Sequence, residues 1–218
     1  MTDVLVSIDV GGTLGHVNGP SLASVLAEAS PLDSREARRI MRHRLHTRPA
    51  ITISVVTEIC GALRIPEAVF PHTVEASPLI LVPGAWEALR AMSEHATLVT
   101  LSNVTCLEAG TDQLRALLAP WVSDHFPSYR IGFAKPDPAA FETVAHACGT
   151  KTADMVHVGD DWECDIVGAI SVNATAIWIS NGRPVPDDEL IVDSGVLVAA
   201  DLAAASRHIS DLAARRQS

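Results

Sequence analysis

Short apolar runs rich in Val, Ile and Leu recur along the chain at 4–8, 97–101, 155–158 and 175–179. Between them lie 85–92, 112–118, 138–148 and 164–171, where apolar residues return at helical spacing. Strands alternating with helices predict an α/β domain built on a mostly parallel sheet covered on both faces. A further short strand is expected at 129–131. The stretch 201–215 predicts a closing helix, with Leu202, Ile209 and Leu212 on one face and basic residues at its C-terminal end.

The rhythm breaks between 14 and 83, where helical patterns dominate and strand signal is scarce. Asp33 with Glu36 has the spacing of a capping box. Ala37, Ile40, Met41 and Leu45 then form an apolar stripe, and a second helix is expected over 53–63. The pattern predicts an all-helical cap subdomain, 15–82, inserted into a core made of 1–14 and 83–218. An insertion after the first strand lies above the C-terminal edge of the sheet, where a lid belongs.

Composition narrows the setting. With 218 residues and a hydrophobic fraction of 48%, there is enough apolar surface for a sizeable core, and at 4% aromatic it is aliphatic. A net charge of -10 argues against nucleic acid and anionic membranes as partners. No apolar run reaches the length of a membrane span, and the N-terminus lacks the marks of a signal peptide. Cys60, Cys106, Cys148 and Cys164 are scattered and read as reduced thiols, so a cytoplasmic location is expected.

Four segments place polar groups at predicted strand ends or in loops. They are Asp9-Val-Gly11-Gly12-Thr13, Ser102-Asn103 after an apolar strand, Lys135-Pro-Asp137-Pro before a helix, and Gly159-Asp160-Asp161 with Asp165 beyond it. Strand C-termini are where open α/β sheets bind ligands. Together these are the parts of a phosphoryl-transfer site. A carboxylate attacking a phosphate dianion meets charge repulsion, which a divalent cation on carboxylates relieves. Oxygen ligands of this kind suit Mg²⁺, while lysine and hydroxyl groups hold the remaining phosphate oxygens.

Taken in order, the four segments resemble the motifs of the haloacid dehalogenase-like (HAD) superfamily. Pro83-Gly84-Ala85 is similar to the segment these proteins carry ahead of the second motif. The resemblance implies a Rossmann-like core, Mg²⁺ dependence and an aspartyl-phosphate intermediate. It implies Asp9 as nucleophile, with Thr13, Ser102, Asn103 and Lys135 on the phosphate. It assigns the metal to Asp9, the Gly11 carbonyl, Asp160 and Asp165, the last as a ligand or as the group that orients Lys135. The implied activity is hydrolysis of a small anionic phosphomonoester. The first segment alone also resembles the phosphate loop of ROK-type sugar kinases, but a second lobe does not fit this length and Lys135-Pro-Asp-Pro would be unexplained.

Gly11 departs from the motif. The usual phosphatase has an aspartate there as general acid and base, a contribution of about 10² to 10⁴ in rate. Two alternatives follow: a haloacid dehalogenase-like hydrolase attacking carbon through Asp9, and a catalytically weak member that binds a phosphorylated ligand or partner. A Schiff-base chemistry is disfavoured because Lys135 and Lys151 are the only lysines and neither lies in the cap. His16 is a candidate replacement acid/base, against the alternative of a solvent-facing flap residue. Six arginines between 35 and 48 read either as a solvated helix face or as a basic lid that draws in an anion. Asp137 reads as a helix cap, Asp161 as a turn residue, and the four tryptophans as packing at the core margin.

Overall fold

The apolar runs form one six-stranded parallel sheet. In the computed structural model the protein is described for residues 4–71, 73, 74, 77–184 and 195–217. The strands are β1 (Val4–Ile8), β4 (Ala96–Ser102), β5 (Val122–Pro127), β6 (Met155–Gly159), β7 (Thr175–Ile179) and β8 (Leu197–Ala199), in the order β5-β4-β1-β6-β7-β8. A short antiparallel ribbon joins β2 (Gly15–His16) to β3 (Ile80–Leu81). β1 lies between β4 and β6, so the direction of winding reverses at its end. Such a switch point leaves a crevice for ligands at the strand's C-terminus, where Asp9 stands.

Side chains alternate across the sheet and build two cores. Val4, Val6 and Ile8 pack on one face with α4 (Ala85–Ser93) and the closing α9 (Leu202–Gln217), and α5 (Thr111–Leu118) adds Leu118. Leu5, Val99 and Leu101 pack on the other with α7 (Pro138–Ala147) and the short α8 (Gly168–Ser171). Trp178 is 2% exposed inside this second core. It is therefore a core residue rather than a marginal one, while Trp86 stays 39% exposed and meets Trp121 edge-on.

Among the described residues, three α-helices fill the cap segment: α1 (Leu22–Ala29), α2 (Ser34–Arg44) and α3 (Ile53–Leu63). Ser21, Asp33 and Thr52 cap their N-termini by accepting backbone N–H bonds. Leu26, Ala37, Met41, Leu45, Ile59 and Leu63 close a separate apolar core. The cap docks through Leu22 N–H on Glu108 Oε1 at 2.6 Å, Ser128 Oγ on the His46 carbonyl at 2.8 Å, and Arg42 on Glu163 at 2.7 Å.

Two expectations are corrected. The segment 129–131 is not a strand: β5 ends at Pro127 and the chain turns directly into the four-residue α6 (Ser128–Ile131). The segment after β1 is not wholly helical, because its two passages to the core pair as the β2–β3 ribbon. Helix α1 and strands β5 and β8 were not expected.

Met41 is 1% exposed at the centre of the cap core. Met41→Ala should destabilise the protein by about 2–5 kcal/mol, read as a lowered midpoint in urea unfolding.

Candidate active site

The loop after β1 is tight. Leu14 and Gly15 both donate to the Val10 carbonyl, and Gly12 donates to the Gly15 carbonyl. Gly12 has φ +88, and a Cβ on it would meet the Asp160 carboxylate at 2.6 Å. Glycine is required there by conformation and by space. Gly11 is different: its φ is not positive, and nothing lies within 4 Å of a Cβ built on it.

Lys135 brings the segments together. Its ammonium, 1% exposed, donates to Asp9 Oδ1 at 2.7 Å and to Asp165 Oδ1 at 2.6 Å. Burial works against this charge, but Asp165 and Asp9 outweigh it and hold the ammonium above its ordinary value. Burial also opposes ionisation of Asp165, but Lys135 and His157 overcome it and hold that carboxyl below the usual range. Asp9 goes the other way. Burial pushes it up to about 7 against the pull of Lys135, with Asp165 and Asp160 adding to the rise.

Asp165 is held from every side. His157 Nε2 lies 3.2 Å from Oδ1, and the Asp161 N–H donates to Oδ2 at 2.9 Å. Ser7 Oγ lies 2.7 Å from His157 Nδ1 beneath the sheet surface. Burial lowers the His157 pKa, so the ring is neutral. A neutral ring donating from Nε2 to Asp165 accepts the Ser7 hydroxyl at Nδ1. Sequence reasoning missed Ser7 and His157, although each is the polar residue in an otherwise apolar strand.

Several expected residues occupy other roles. The Asn103 amide clasps the Lys135 backbone, donating to its carbonyl at 2.7 Å and accepting its N–H at 2.8 Å. It positions Lys135, and both ends of its amide are taken. Thr13 is 1% exposed, does not line the cavity, and donates to Asp160 Oδ1 at 3.3 Å. Its hydroxyl serves Asp160. Ser102, at the end of β4, does line the cavity. Asp137 and Asp161 act as caps, accepting from Ala139 and Cys164 N–H. Arg183, missed in the sequence, donates to the Asp160 carbonyl at 2.6 Å and stands 3.3 Å from its Oδ2.

One oxygen from each of Asp9, Asp160 and Asp165 lies within 4.8 Å of the others. An all-oxygen donor set with three carboxylates fits Mg²⁺. The Gly11 carbonyl takes no hydrogen bond among the described residues. Both Asp165 oxygens already accept bonds, which favours its role of orienting Lys135 over that of a direct ligand.

A cavity of about 740 Å³ opens on Asp9, Lys135 and Ser102 beneath the cap. None of the six cap arginines lines it; Arg42 pairs with Glu163, and Arg44 and Arg48 with Glu58. The basic-lid reading is therefore not supported. His16 is exposed and also absent from the lining, as a flap residue would be. His46, at the end of α2, does face the cavity, and its Nδ1 has no partner among the described residues.

Residues 132–205 match the family model described as HAD-hydrolase-like. No curated protein matches the chain. Among solved structures, a 2-haloacid dehalogenase from Pseudomonas syringae pv. Tomato DC3000 is 21% identical with a TM-score of 0.65, covering 97% of this chain and 100% of that one. YfnB from Bacillus subtilis, bound to magnesium, is 16% identical at 0.59, covering 96% and 100%. A HAD family enzyme from Bacteroides thetaiotaomicron, in complex with magnesium and inorganic phosphate, is 16% identical at 0.54, covering 84% and 96%. These likenesses uphold the fold read from the motifs. No helix among the described residues is long and apolar enough to cross a membrane.

Burial, with Arg42 adding, drops the His46 pKa from 6.5 to about 4. The unfolded chain therefore takes up the proton first. The stability this ring contributes is complete above pH 6.5 and lost as the pH falls towards 4. It amounts to no more than about 3 kcal/mol, and less because the ring is partly open to the cavity. Relative to wild type, His46→Gln should lose less stability between pH 6.5 and 4, measured as urea midpoints at matched pH. Parallel curves would show that the ring is not buried neutral.

Proposed function

The chain has the haloacid dehalogenase-like fold, and on that premise we propose that it is a Mg²⁺-dependent phosphatase of small phosphomonoesters working through phospho-Asp9. The observation that carries this reading is the Lys135 ammonium fixed between Asp9 and Asp165, with Asp160 close enough to share a cation. Three carboxylates around one lysine leave negative charge that a phosphate would meet. A bound Mg²⁺ supplies the charge neutralisation that lets two anions approach. Asp9, Asp160 and the Gly11 carbonyl would hold it.

Lys135 occupies Asp9 Oδ1, which leaves Oδ2 as the attacking atom. Attack forms the Oδ2–P bond and breaks the P–O bond to the leaving group. Ser102 and Lys135 hold the transferred oxygens. Water then attacks phosphorus, the Oδ2–P bond breaks, and inorganic phosphate and Asp9 are released. The chain offers no side chain at position 11 to protonate the departing oxygen, so leaving groups that need little protonation are favoured. The same gap suits attack on a carbon–halogen bond, which releases a stable halide. That is the second reading.

Phosphate and halide release should be measured over phosphomonoesters and 2-haloacids, with and without Mg²⁺. Mg²⁺-dependent phosphate release is expected; metal-independent halide release alone would replace this reading with the second. Asp9→Asn should lower kcat by at least about 10³ while keeping the fold. Residual activity within about tenfold of wild type would exclude Asp9 as nucleophile.

Gly11→Asp should fold, since a Cβ there meets nothing within 4 Å. It should raise kcat on alkyl phosphates by up to about 10², with much less gain on aryl or acyl phosphates. A folded variant without gain on alkyl phosphates would show that a missing acid does not limit the rate.

A further inference from the structure

The charges at the phosphoryl end of the cavity answer one another, but charge elsewhere on its wall is unanswered. Among the described residues, five charged side chains line it: Lys135 with its partners Asp9 and Asp165, and then Glu108 and Asp161. The cap contributes none of them. Its one titratable residue on the described lining, His46, is kept neutral by burial, which holds its pKa at about 4. Glu108 is partly buried and accepts from two neutral donors, the Leu22 N–H at 2.6 Å and the Thr105 hydroxyl at 2.8 Å. No ion pair among the described residues reaches it. The two bonds fix the carboxylate in place and leave its charge standing. The N-terminus of α1 offsets at most about half of a unit charge. Glu108 is also on the side where a leaving group departs. It lies in the loop beyond the C-terminal end of β4 and holds the first residue of the cap helix α1. In-line attack by Asp9 at the strand tips sends the leaving oxygen away from the sheet, towards the cap.

We propose that the leaving group carries a cation, and that the substrate is the phosphomonoester of an amino alcohol whose ammonium rests on Glu108. The proposal rests on the phosphatase reading for the phosphoryl end alone. A carboxylate offers about four lone-pair sites, so Glu108 has room for two donors beyond those it holds. A compact ammonium with three donors fits that vacancy. The same cation, two carbons from the leaving oxygen, stabilises the negative charge that develops there. That help comes from the substrate, in a site whose position 11 offers no acid. A second phosphate or carboxylate on the leaving group would instead meet Glu108 and Asp161 with no cation to receive it. Glu108 is thus a specificity residue.

The test titrates 3-aminopropylphosphonate, butylphosphonate and 3-carboxypropylphosphonate calorimetrically into the full chain with Mg²⁺. The three share a phosphonate and differ only in the end group. The amine should bind about fivefold more tightly than butylphosphonate, since a charge-assisted bond outweighs one buried methyl. The carboxylate should bind more weakly than both. Glu108→Gln keeps the shape and an acceptor for the Leu22 N–H, and should bring the amine-to-butyl ratio to one or below. If that variant does not fold, Glu108→Asp withdraws the carboxylate by one methylene and should lower the same ratio. An amine that binds no better than butylphosphonate, no binding of any of the three, or a ratio unchanged in the folded variant would each overturn the proposal. The expected ratios without hydrolysis of 2-aminoethyl phosphate would fail the phosphatase reading and leave the Glu108 site standing. Hydrolysis of 2-aminoethyl and propyl phosphate with the same kcat/KM would do the reverse.

Discussion

The site depends on one buried cation. Lys135 has almost no contact with water, and its ammonium is tolerable only because Asp9 and Asp165 both lie within 2.7 Å. An unpaired charge in such a place costs several kcal/mol, so the partners must be held in register by the fold. Each is fixed by a different element. Asp9 follows the central strand, Asp165 sits in the turn of π-helix at Trp162–Val167, and Lys135 is gripped through its own backbone by Asn103. Three loops from distant parts of the chain are tied to a single point.

That tie explains why polar residues lie deep in strands that are otherwise apolar. Ser7 and His157 face one another across β1 and β6, and the imidazole meets Asp165 from below. With Lys135 and His157 on one oxygen and a backbone N–H on the other, Asp165 has little freedom to move. The carboxylate that keeps more freedom is Asp9, since the described hydrogen bonds reach only its Oδ1. The asymmetry divides two chemically identical groups into one held on both oxygens and one, proposed above as the nucleophile, held on a single oxygen. Their environments push them in opposite directions: Asp165 below the usual carboxyl range, Asp9 above it.

Much of this was legible in the sequence, and the misses have physical causes. Strands β1, β4, β6 and β7 announce themselves because both faces are buried and their runs are continuously apolar. β5 was hidden because Asp124 and His125 interrupt its run, one as an ion-pair partner and the other as a buried ring. Helix α3 was readable from its apolar content. Helix α1 has small residues around Leu22 and Leu26, and its packing needs the rest of the cap. The motif residues could be found one by one, but spacing does not say which way an amide or hydroxyl turns. Asn103 turned to the Lys135 backbone and Thr13 to Asp160, roles visible only once three segments share a corner.

The two glycines of the first loop separate what the fold demands from what the chemistry selects. At position 12 any side chain would collide with Asp160, so the residue is dictated by packing. At position 11 the backbone is ordinary and the space is open, so no steric constraint excludes an aspartate. On the proposed phosphatase reading, the absence of a carboxylate there is therefore a matter of chemistry rather than of packing. On that reading it withholds a proton donor from the leaving group and leaves one negative charge fewer in a site that already gathers Asp9, Asp160 and Asp165. The second effect lowers the repulsion met by an incoming anion, and the first limits which bonds break quickly. A site built this way trades leaving-group range for easier entry of a charged substrate.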